Sequence, residues 1–214
     1  MTALIRITPP DEEPLALEET KAHLRVETGE DDELITNLIT AARLLCEEYT
    51  RRALITQTWR LWLDAFPGLE EPWWDGTREG VDRGMIRRFV HLPRPPLVSV
   101  QAVKTYNDDN TETVFDPLLY FVDAASEPGR LALRSNANWP VPQREYNGVR
   151  IDFIAGYGDV EDVPQALKAG MLAHIAFLYE NRGDEQGLAA QARGSSAPEV
   201  ALMLYRPYRV HSLV

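Results

Sequence analysis

Only one cysteine, Cys46, occurs in the 214 residues. The chain therefore cannot form an internal disulfide, and it has no cysteine cluster of the kind that holds zinc. Histidine is nearly as scarce. His23, His91, His174 and His211 are the full set, and no pair has the spacing of a helical zinc motif. A serine nucleophile in a Gly-x-Ser-x-Gly turn is missing. No apolar run approaches the roughly 18 residues that span a bilayer. The N-terminus, MTALIRITPPDEEP, lacks the basic start and apolar core of a signal peptide. Together these absences point to a protein made and folded in a reducing cytoplasm. Positive charge is also short, with 22 Lys and Arg against 33 Asp and Glu and a formal charge of −11. That balance disfavours gripping a nucleic-acid backbone, but it suits a wall past which a duplex slides.

What is present is organised around one long amphipathic stretch. Asp31–Arg52 reads DDELITNLITAARLLCEEYTRR. Its apolar positions Leu34, Ile35, Leu38, Ile39, Ala42, Leu45, Cys46 and Tyr49 form one stripe on a helix of about six turns. Acidic residues open it and Arg51 and Arg52 close it, as the helix dipole favours. Leu17–Val26 predicts a shorter helix, and the brief link through Thr28-Gly29-Glu30 joins the two as a hairpin. Near the other end, Pro164–Arg182 places Leu167, Met171, Leu172, Ile175, Leu178 and Tyr179 on one apolar face. Pro198–Tyr205 predicts a last short helix. The stretch from Asp184 to Ala197 reads as a Gly/Ser/Ala-rich loop.

Between the helices the period changes from 3.6 to 2. Ile55–Leu63, ITQTWRLWL, alternates as a strand does. Ile86–Leu92, Val98–Tyr106, Thr113–Phe115, Tyr120–Val122, Arg130–Leu133 and Val149–Ile154 supply further strands. The expected fold is α+β, a helical bundle built from both ends of the chain with an inserted β-rich module. Its parts are an extended N-terminal arm over 1–14, a bundle from 15–52 plus 163–205, the β module over 53–162, and a C-terminal tail over 206–214.

Chemistry-bearing patterns are weak. Gly156-Tyr157-Gly158 before a helix lacks the full phosphate fingerprint, and Asp159, Glu161 and Asp162 would repel an anion. Asn107-Asp108-Asp109-Asn110 reads as a β-turn rather than a cation loop. His174 and Cys46 fall on apolar faces, and Ser195-Ser196 falls in the Gly/Ser/Ala-rich loop. No catalytic residue, cofactor site or metal site is assigned. Three features suit contacts with other proteins instead. Trp73-Trp74 lies in a polar loop between strands. The tail alternates aromatic and cationic groups at Tyr205, Arg206, Tyr208, Arg209 and His211, the residue types that anchor interfaces. The N-terminal arm is the third.

The helical pieces resemble the head–tail connector (adaptor) proteins of long-tailed bacteriophages, prophages and gene transfer agents. The resemblance rests on Leu15–Val26 (LALEETKAHLRV), on Asp31-Asp32-Glu33, on Gly156-Tyr157-Gly158 with Val163-Pro164, and on Leu178–Arg182 (LYENR). It covers about a third of the chain. The resemblance implies a structural protein of the virion neck and no enzyme. It implies a ring of twelve copies under the portal protein, which extends the channel for double-stranded DNA and carries the next head-closure or tail-completion protein. It also implies that the C-terminal tail engages the portal, and it leaves Trp73-Trp74 for a neighbouring copy or the next neck protein. Two other readings stay open: a small-ligand protein or enzyme with a pocket in the β module, and a head-closure or tail-completion role elsewhere in the neck.

Overall fold

The computed structural model describes residues 2–67, 88–182 and 197–210. The chain divides into two compact units, Pro10–Thr56 with Gly156–Val214, and Met1–Pro9 with Gln57–Ala155. The α+β expectation holds, with helices contributed by both ends of the chain and a β-rich middle.

In the helical unit, α1 spans Leu17–Leu24 and α2 spans Asp32–Thr50. Helix α1 stops because Arg25 turns left-handed at φ 58°, and its N–H returns to the Ala22 carbonyl. Arg51 ends α2 in the same conformation. The predicted stripe on α2 is real, and its buried line is Ile35, Ile39, Ala42 and Cys46, spaced four, three and four residues apart. Helix α3 (Gln165–Glu180) answers with Leu167, Met171 and Ile175, and α4 (Glu199–Tyr205) with Ala201, Leu202 and Tyr205. Leu15, Leu54, Ile55 and Val163 complete this core. Each aliphatic side chain fully buried there contributes about 1.5–3 kcal/mol.

The β unit holds a five-stranded antiparallel sheet and a three-stranded one. In spatial order the larger runs β1 (Thr2–Thr8), β2 (Gln57–Leu63), β8 (Val149–Ala155), β4 (Leu97–Tyr106) and β5 (Glu112–Val114). The smaller runs β3 (Phe89–Leu92), β7 (Gly129–Leu133) and β6 (Tyr120–Asp123). Gln57 opens β2 directly opposite Ala155, the last residue of β8. Alternation sends Trp59, Leu61, Val103, Ile151 and Phe153 inward. Phe66 stacks on Trp139 with centroids 4.3 Å apart, and Phe115 and Tyr120 extend this aromatic cluster.

The opposite face of the large sheet is ionic. Arg60 on β2 and Arg150 on β8 both grip Asp152, each at 2.7 Å. Desolvation pushes the Asp152 carboxyl up, but the hydrogen bonds from Arg60 and Arg150 outweigh it, so Asp152 titrates below its usual value. A lowered folded-state pKa stabilises the fold above the ordinary carboxylate value of about 4 and loses that contribution as pH falls through the lowered one. Asp152→Asn should therefore destabilise the β unit at neutral pH and flatten the acid limb of its stability curve. Urea denaturation between pH 2 and pH 7 tests this. An unchanged acid limb would mean the pair is not thermodynamically coupled to folding.

The N-terminus differs from the arm expected over 1–14. Thr2–Thr8 is extended, as read, but it is laid along β2 in register, with Leu4 opposite Leu61 and Ile5 opposite Arg60. The reason is local chemistry. A strand's backbone groups need partners outside the segment, and β2 offers an open edge.

Candidate interaction surfaces

The C-terminal segment is strapped to the end of α2. The Arg52 Nε donates to the Tyr208 carbonyl at 2.6 Å, and the Val210 N–H donates to the Thr50 carbonyl at 2.9 Å. The Arg209 guanidinium lies 5.3 Å from the Tyr49 ring centroid, and Arg206 pairs with Glu199 at 2.8 Å. After α4 the chain makes a 3-10 turn at Arg206–Tyr208, favoured by Pro207.

These contacts sort the predicted tail residues. Arg206 and Arg209 are exposed and Tyr208 is half-buried. Tyr205 is fully buried, with its ring 6.0 Å from that of Tyr49. Gly170 on α3 makes room for it, since a Cβ there would stand 2.5 Å from the Tyr205 ring. Burial raises both the Tyr205 hydroxyl and the Cys46 thiol well above their ordinary pKa values. Tyr205 is thus an anchor of the core rather than a surface group, because helical spacing aligns it with Ala201 and Leu202. Trp73, Trp74 and His211 lie outside the described residues.

A feature the sequence reading passed over sits beside the tail. Val200 and Met203 are each 61% exposed, three residues apart on α4, and so share one face. The signal was available, because the same 3.6 period that buries Ala201, Leu202 and Tyr205 must turn these two outward.

The start of the helical unit is acidic and tightly held. Asp11–Glu33 carries ten carboxylates against Lys21 and Arg25. Lys21 meets Asp32 at 2.6 Å, joining α1 to α2. The Tyr179 hydroxyl donates to Asp31, which also accepts from Arg182 at 3.2 Å. The hydrogen bond from Tyr179 is the main influence that holds the Asp31 carboxyl below its usual range, with Arg182 adding to it against desolvation. Deeper in, Arg43 bridges Glu13 at 2.7 Å and Glu47 at 3.2 Å, and Glu47 also accepts the Leu54 N–H at 3.1 Å. These groups brace helices. His174 is packed inside α3, and no group of three or more His, Cys, Asp or Glu gathers for a metal among the described residues.

Comparison with known proteins places this architecture. Residues 15–71 match the family described as phage gp6-like head–tail connector protein, so the resemblance seen in the sequence is borne out there. Among solved structures, a chain from the neck of an empty GTA particle, computed with C6 symmetry, superposes with a TM-score of 0.74 at 22% identity, covering 99% of this chain and 97% of that one. A chain from the virion of a native gene transfer agent particle gives 0.69 at 21%, and one from the neck of a native GTA particle, computed with C12 symmetry, gives 0.68 at 22%. Both have the same coverage as the first. At these identities the shared property is the fold, and it extends over essentially the whole chain. No curated protein matches.

Proposed function

We propose that this chain, which has a connector-type helical hairpin and a fold shared end to end with a chain of gene-transfer-agent necks, is a head–tail adaptor of a virion neck. The observation that carries the reading is that both units, and not only the hairpin, superpose on a neck chain with a TM-score of 0.74. In this role the protein is structural and not catalytic. Twelve copies form a ring beneath the portal protein, extend the DNA channel and present a platform to the next head-closure or tail-completion protein. Neighbouring faces of the same chain then meet head to tail, as cyclic symmetry requires.

The acidic balance of −11 suits a conduit that lets double-stranded DNA pass without holding it. The portal contact is assigned to the C-terminal segment. Exposed Arg206 and Arg209 and half-buried Tyr208 supply cationic and aromatic anchors, and Val200 and Met203 supply an apolar strip beside them. His211 belongs to the same tail, and Trp73-Trp74 is assigned to a neighbouring copy or the next neck protein. The protein is made in the host cytoplasm and ends in the neck. No described helix is long and apolar enough to cross a membrane.

Mass photometry of the purified chain, alone and with the portal encoded beside it, tests the proposal. Rings that form or gain mass on portal addition are the expected result. Arg206→Glu with Arg209→Glu should leave the fold intact, since both side chains are exposed, and weaken portal binding by at least about tenfold. A chain indifferent to portal would overturn the neck assignment, and full binding by the double variant would overturn the tail contact.

A further inference from the structure

Strand β1 is an edge that the fold leaves undefended. Among the described residues no strand pairs with its outer side. Ile5 and Ile7 are 48% and 45% exposed. The strand's one charge, Arg6, is turned away, donating to Gln57 at 3.3 Å and lying 5.8 Å from the centroid of buried Trp59. Soluble proteins usually protect such an edge with a charge, a bulge in its middle, a proline or a very short strand. Here seven residues, TALIRIT, stand open before Pro9-Pro10 ends the run, with one register shift close to that end. Unpaired backbone donors and acceptors in a row specify their occupant chemically, because only another extended segment satisfies them in turn.

The same sheet has a second open edge at β5, Glu112–Val114, where Val114 is 58% exposed. We propose that β1 of one copy pairs with β5 of the next, so that the five-stranded sheets join edge to edge around the ring. This inference rests on the ring reading above. Direction supports it. Each neighbouring pair in the sheet is antiparallel, so β1 and β5 run the same way. Between adjacent copies of a twelve-fold ring any direction turns by at most about 30°, close to the twist of about 20–25° between ordinary neighbouring strands. The joint is therefore a parallel pair, and an antiparallel pairing of β1 with its own copy is excluded within the ring. Exposed Ile5 and Ile7 would meet Val114.

Cysteine pairs test the joint in the full chain, where buried Cys46 does not compete. Ile5→Cys or Ile7→Cys combined with Val114→Cys, oxidised under conditions in which the wild type forms rings, should give a ladder of cross-linked multimers. Val114→Cys alone and Ile5→Cys alone should give none. Rings without a ladder from either pair would overturn the edge joint and leave the adaptor reading standing. Dimers from Ile5→Cys alone would overturn it in favour of β1 pairing with itself. A wild type that forms no ring with or without portal would remove both. Independently, Ile5→Lys with Ile7→Lys should keep the melting temperature and raise the concentration needed for rings by at least about tenfold. Unchanged assembly would again sink the joint.

Discussion

Tyr205→Ala should cost the helical unit about 3–5 kcal/mol, the range for emptying a large buried aromatic site. The ring has no exposed surface and fills a slot between Tyr49, Cys46 and Gly170. Helix α4 has only seven residues, too few to persist in water without tertiary packing. With its largest anchor gone, α4 should detach and take the Arg206–Val210 strap with it. Tyr205→Phe is the informative companion. The hydroxyl has no oxygen or nitrogen partner among the described residues, so removing it should be neutral or slightly stabilising. Denaturation curves report the global cost, and the labelling rate of buried Cys46 by a thiol reagent reports the local opening. If Tyr205→Ala were as stable as the wild type, with Cys46 still protected, the residue would be free for the surface role that the tail sequence suggests.

Arg43→Met is expected to be nearly as damaging, at about 3–5 kcal/mol. Arg43 and Glu47 are each only 5% exposed along their side chains. Removing the guanidinium takes one buried, hydrogen-bonded ion pair from the Glu47 carboxylate, which still accepts the Leu54 N–H. It also removes the ion pair to Glu13 in the segment before α1, leaving that carboxylate only the Thr40 hydroxyl of these two α2 donors. Desolvation alone would lower the Arg43 pKa, but the hydrogen bonds and charges of Glu13 and Glu47 raise it overall, so the group stays charged. Adding Glu47→Gln to Arg43→Met keeps an acceptor for Leu54 while removing the buried carboxylate's charge, and should recover part of the loss. Urea denaturation of the two single variants and the double variant measures the coupling. A single-variant cost below about 1 kcal/mol would mean that water reaches Glu47 and the pair behaves as a surface one.

The helical frame was legible because its information is local. Ile35, Ile39, Ala42 and Cys46 recur at helical spacing within one continuous stretch, and the same is true of Leu167, Met171 and Ile175 on α3. Strand β2 was equally plain, since Trp59 and Leu61 alternate with Arg60 and Trp62. The N-terminal strand was not, because the partner of Ile5 is Arg60, more than fifty positions away, and nothing near Thr2–Thr8 announces that pairing. The surfaces were harder still. Tyr205 reads as part of a polar tail when taken with Arg206 and Tyr208, and as core when taken with Ala201 and Leu202. The second grouping wins because the helix runs to Tyr205 before the chain turns. Exposed apolar residues such as Met203 look like core residues in sequence, and only three-dimensional burial separates the two.

The placement of Gln57 directly across from Ala155 has a consequence for how the two units coexist in one chain. A floppy insertion of roughly a hundred residues would charge the helical frame about 4 kcal/mol in the length-dependent part of closure entropy. Once the ladder between β2 and β8 forms, its two ends become strand neighbours, and the long detour counts as little more than a tight turn. The halves of the bundle, far apart along the polypeptide, then become effectively sequential. Length added to the loops of the β unit would not lengthen that link. The module can therefore vary in size as a cassette while the frame around it keeps its folding economy, provided the first nine residues still find their edge.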